Sequence, residues 1–95
     1  MKEQIWKFPI SPQRTKVQMP QGAQILTIQT QGEIPCIWAL VNPESEMEIR
    51  YFEIFGTGHD VPVERGIERK YINTFQLEGG KLVFHLFERV DYLKL

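Results

Sequence analysis

A chain of 95 residues, 42% hydrophobic and 24% charged, is the right size and make-up for one globular domain with a modest core. Its formal net charge of −1 sets up no field that would draw in DNA, RNA or an anionic membrane. One cysteine, Cys36, excludes an intrachain disulfide and a cysteine-only zinc site, and no run of about 18 apolar residues is present to span a bilayer.

Strand signals dominate from the start. Residues 5–10, IWKFPI, are aromatic and β-branched, but Pro9 removes a ladder donor, so this is an edge strand or one that ends there. Ser11, Pro12 and Gln13 form a connection. Residues 15–19 alternate, with Thr15, Val17 and Met19 on one face, and Pro20-Gln21-Gly22 turns the chain. Residues 23–31, AQILTIQTQ, begin apolar on both faces, which predicts a central strand. Gln31-Gly32-Glu33 leads into residues 34–41, IPCIWALV, and the two segments read as a hairpin.

After a turn at residues 42–45, residues 47–55 set Met47, Ile49, Tyr51 and Phe55 against Glu48, Arg50, Phe52 and Ile54. The stretch FGTGHDV follows, and then a polar loop over 62–69 that contains Gly66. Residues 71–77 and 81–89 flank Glu78-Gly79-Gly80, a second hairpin signal. Residues 91–95 are either a continuation of the last strand or an exposed tail.

Six to seven strands, little or no helix, and turn signals between them predict an all-β fold. The expected form is a small antiparallel sandwich or barrel, one domain over residues 1–95. The later strands carry more apolar side chains than one buried face needs. Phe52, Ile54, Val83 and Phe87 are the surplus, and surplus apolar surface points to a homo-oligomer or a ligand groove.

Gly56-Thr57-Gly58-His59 admits two readings. Its backbone N–H groups, the Thr57 hydroxyl and His59 are the parts of a phosphate or carboxylate cradle. The same glycines would serve a turn that ends a strand and needs positive φ. The third glycine of a dinucleotide fingerprint is missing. Arg65 and Arg69 crowd the following loop and have the fork that grips a phosphate. Trp38 is an aromatic able to stack on a ring.

His59 and His85 lack the spacing of metal ligands, so neither metal nor cofactor is expected, and His85 reads as a packed mid-strand histidine. Cys36, between apolar neighbours, reads as a small buried hydrophobe. No serine lies beside a histidine in the sequence, and Glu44, Glu46 and Glu48 share a solvated face. No catalytic residue is expected, and binding is favoured over chemistry. Aromatic and basic residues do not interleave along one strand, so nucleic acid is not an expected partner. The N-terminal stretch has no apolar run of signal-peptide length, which points to a reducing cytoplasm.

IWKFPI, MPQGAQIL, PCIWALVNP, FGTGHDV and TFQLEGGKLVFHLFE together resemble a family of small uncharacterised phage and prophage proteins, over residues 4–88. The resemblance implies viral origin and action in the cytoplasm of a bacterial host, with no defined activity. By analogy with small phage proteins that inhibit host defence, it implies a homo-oligomeric binding protein. Its ligand would be a phosphorylated small molecule such as a nucleotide immune signal, held by Gly56, Thr57, Gly58, His59, Arg65, Arg69 and Trp38. The alternative is an interaction module that contacts a host or viral protein. A nucleotide-processing enzyme is a third reading.

Overall fold

The structure, a computed structural model, describes residues 2–93. Among them are β1 (Gln4–Pro9), β2 (Lys16–Pro20), β3 (Gln24–Gln31), β4 (Ile34–Val41), β5 (Met47–Gly56), β6 (Ile67–Leu77) and β7 (Leu82–Asp91). A single 3-10 turn, Glu78–Gly80, joins β6 to β7. The strands form two antiparallel sheets, β1-β4-β3 and β2-β5-β7-β6. The result is an all-β sandwich, as the alternation and turn spacing predicted.

The core lies between the sheets. Val17 and Met19 of β2, Phe52 of β5, Phe75 of β6 and Leu86 of β7 meet Ile28 of β3 and Ile37, Ala39 and Val41 of β4. Both predicted hairpins are present, β3 with β4 and β6 with β7. Three expectations need correction. Strand β3 is an edge strand, and β4 is the central one. The apolar start of β3 comes from a bulge: its register with β4 slips between Ile25 and Thr27. A second bulge between Tyr71 and Asn73 lies across the corner on β6, where Asn73 Nδ2 donates to Thr27 Oγ1 at 3.2 Å.

The second correction concerns the loop before β6. The strand begins at Ile67, so Arg69 is a strand residue, not a loop residue. Ile67, Arg69 and Tyr71 alternate with Glu68 and Lys70 and pair with β7 as far as Asp91. Charged side chains concealed that period. At the chain's end, Tyr92 N donates to Gly66 O at 2.7 Å, which pins the start of the expected tail beside that loop. Residues 94–95 lie outside the described residues.

The third correction concerns the surplus. Phe52 belongs to the core and Ile54 packs against it. The large side chains left exposed on β5 are instead Met47, Ile49 and Tyr51.

Candidate functional site

The inward side of the four-stranded sheet changes character along its length. Phe52, Ile54 and Leu86 face the core, but the next inward positions are Arg50, Glu48 and Glu88. Here β5 and β7 part: their ladder runs from Gly56–Phe84 to Tyr51–Arg89 and stops, although both strands continue. A cleft of about 1030 Å³ opens at this point.

Arg50 spans it. Its Nε and Nη2 both donate to the Glu88 carboxylate, the latter at 2.8 Å, and Nη1 donates to Ala23 O at 2.9 Å. Glu48 stands 3.8 Å from the same guanidinium and accepts from Gly22 N. The hydrogen bond to Glu88 raises the Arg50 pKa above its ordinary value, against the opposing effect of burial. On the rim, Lys16 Nζ lies 5.9 Å from the centre of the half-exposed Tyr51 ring, and Arg89 reaches Glu53 at 3.6 Å. Lys16, Arg50, Lys70 and Arg89 line the cleft together with Glu48, Glu53, Glu88 and Asp91. The signs balance, so the cleft does not concentrate positive potential for a phosphate.

The GTGH stretch ends β5 in a tight turn. His59 N donates to Gly56 O at 3.0 Å, and Gly58 has φ +84°, the value a type II turn requires at its third position. The His59 ring lies over Gly56, where an added Cβ would come within 2.8 Å of it. Both glycines therefore have a steric reason to be glycine, which supports the turn reading.

Thr57 is tied back to the sheet. Its N donates to Val83 O at 3.2 Å and its hydroxyl hydrogen-bonds His85 Nε2 at 2.7 Å. His85 Nδ1 bonds the Thr74 hydroxyl at 2.8 Å, which bonds the Tyr71 hydroxyl at 2.6 Å. Sequence reasoning missed this chain. Its signal lies in the register of the second hairpin, which sets Thr74 directly opposite His85. Thr57 and His85 have the reach of a nucleophile and its base. A hydroxyl, not a carboxylate, holds the far nitrogen, so the chain itself supplies no negative charge to steady an imidazolium.

Arg69 is committed in a similar way. Its Nε donates to Glu53 at 2.7 Å, Nη1 to Pro62 O at 2.7 Å and Nη2 to Glu64 at 2.5 Å. Its hydrogen bonds to Glu64 and then to Glu53 raise its pKa. It clasps the 57–66 loop to the outer face of the sheet, with its guanidinium 6.0 Å from the Phe55 ring centre. Arg65 is exposed within that loop.

Trp38 belongs to β4, paired with Lys7 and Thr27, between the inward Ile37 and Ala39. It therefore sits on the outer face of the other sheet, and its buried Nε1 has no hydrogen-bond partner among the described residues. The structure thus gathers Gly56, Thr57, Gly58 and His59 in one turn, with Arg69 and Arg65 on the loop's far side. It does not bring Trp38 to them. Among the described residues no group of three or more His, Cys, Asp or Glu is placed to hold a metal ion, and no helix is long and apolar enough to cross a membrane.

The fold is that of a seven-stranded antiparallel β sandwich with a charged cleft at one end. The chain belongs to a family defined by a domain of unknown function (DUF7352), whose model matches residues 1–93. No curated protein and no solved structure matches the chain.

Proposed function

We propose that this chain is a non-catalytic recognition module that contacts protein through the outer face of its four-stranded sheet. One observation carries the reading. Met47, Ile49 and Tyr51 stand in an outward row on β5, 48%, 50% and 47% exposed. The same face continues through an edge-to-face cluster of Phe55, Phe87 and Tyr71. Glu53, paired with Arg69 and Arg89, lies between the two groups, and it is the exposed apolar row at Met47, Ile49 and Tyr51 that marks an interaction site.

This reading is favoured over sequestration of a phosphorylated small molecule. Arg69 is already engaged by Glu53 and Glu64, and the expected stacking residue, Trp38, lies on the opposite sheet. The resemblance to phage proteins makes the cytoplasm of an infected bacterium the proposed place of action.

A photocrosslinking residue tests the face. Placed at Tyr51 in cells making the protein, it should give discrete protein adducts. Placed at Gln29, exposed on the outer face of the other sheet, it should give few. Equal yields from the two positions, or no adduct from Tyr51, would count against the reading. Stabilisation by a member of a nucleotide panel, about 2.7 kcal/mol at 100 times its Kd, would restore the small-molecule alternative.

A further inference from the structure

The single chain exposes more surface than its mass calls for. An 11.2 kDa monomer scales to about 5700 Å² of accessible surface. This chain exposes 6611 Å². Its Cα radius of gyration is 13.9 Å, where a compact domain of this length has about 12 Å. The chain is a slab of 42 × 36 × 19 Å with an exposed loop over residues 57–65. The excess, about 900 Å², matches the roughly 800 Å² that each partner contributes to a standard protein interface.

The outer face of the four-stranded sheet is where that area is best removed from water. Met47, Ile49 and Tyr51 occupy alternate positions over about 13 Å of strand. The first half of β5 that carries them is held in register by β2, residue against residue from Pro20–Met47 to Lys16–Tyr51. The row is therefore preorganised. Its flanks carry both signs, Lys16 and Arg89 with Glu53 and Asp91, so stacking the face on itself brings no single-sign field together. The opposite outer face also exposes Ile5 and Ile34, at 60% and 54%, but breaks them up with exposed Lys7, Gln24, Gln29 and Gln31.

We propose that this face seats a second copy of the chain, related by a two-fold axis that passes at Ile49. The inference rests on the recognition-face reading and names its partner. A two-fold contact uses one patch twice. Stacked sheets lie about 10 Å apart with their strands within about 30° of each other, so the β5 row crosses its own copy. Ile49 is the middle of the row. Whichever way the two strands run, it meets itself, while Met47 and Tyr51 fall on either side.

Self-contact at Ile49 gives a test that a merely buried position would not pass. Wild-type chain should sediment at twice 11.2 kDa at micromolar concentration. Ile49→Glu and Ile49→Lys should each sediment as monomers, because like charges meet at the axis. An equimolar mixture of the two variants should recover the dimer mass, since opposite charges then face each other; recovery also shows that both are folded. A monomeric wild type, or a dimeric Ile49→Glu, overturns the proposal, and a mixture that stays monomeric overturns the placement of the axis. Adducts from Tyr51 to a different protein, with a monomeric wild type, would sink the second copy and leave the recognition face standing.

Discussion

Under the three-stranded sheet, the larger sheet turns Phe52, Ile54 and Leu86 inward; a few residues along the same strands, the inward positions hold Glu48, Arg50 and Glu88. Strand alternation is the same in both halves. What differs is the cover on the β7 side: Met19 and Val17 of β2, the ladder partners of Glu48 and Arg50, stay buried, but between β5 and β7 the sheet is open. Where the other sheet lies overhead, removal of apolar side chains from water holds the layers together. At the open end the strands separate, and a bidentate ion pair with a backbone carbonyl behind it closes the gap. An arginine on a strand is thus no sign of an anionic ligand by itself. Its carboxylate can come from the next strand.

The covered half should be the more sensitive. Leu86 is fully buried, and Leu86→Ala should cost about 3 kcal/mol of unfolding free energy, read from urea denaturation. Arg50→Met should cost less, about 2 kcal/mol. It leaves Glu88 without its main partner, but the two side chains keep 19% and 14% of their exposure and some water reaches them. The double variant Arg50→Met, Glu88→Leu should recover more than half of that loss, because the stranded carboxylate is gone. If Arg50→Met cost as much as Leu86→Ala, the two halves would be one core. If it cost nothing, the pair would be solvent-screened decoration.

How much of this was legible depends on which signal each residue carries. The period of two along residues 47–55 and 81–89 gave the alternation of β5 and β7 but not which face of β5 meets the core, where Phe52 and Ile54 read as surplus, and the two hairpins followed from their turns. Bulges were not legible. The slip between Ile25 and Thr27 mixed the faces of β3 and made an edge strand look central. The early start of β6 was hidden because Glu68, Arg69 and Lys70 read as a polar loop. For the site, the turn at Gly56–His59 could be read locally, whereas the commitments of Arg50 and Arg69 could not. Each is bound by a partner set by cross-strand register or loop path, at separations of 38 residues for Glu88 and 16 for Glu53. The surplus of apolar surface was visible in composition, but its address on Met47, Ile49 and Tyr51 required knowing which half of β5 faces the core.

Arg69 supplies the smallest and most local contrast with Arg50. It has the same side chain and the same bidentate appetite, but it works on the outer face, where it ties a loop instead of closing a core. Its bonds to Glu64 and Pro62 O hold the segment that carries the fully exposed Val63 and the exposed Arg65. Arg69→Gln should therefore lower global stability by less than about 1 kcal/mol: the Arg69 side chain is itself only 8% exposed, but its partners Glu53 and Glu64 keep 24% and 43% of their exposure, so water can solvate the carboxylates it leaves. It should free the loop all the same, because local opening and global unfolding are separate equilibria. Limited trypsin digestion reads the difference: cleavage after Arg65 should become several-fold faster than in the wild type, while the urea midpoint barely moves. A midpoint that fell as far as that of Arg50→Met would instead join the loop to the cooperative core, and the distinction between the two arginines would be lost.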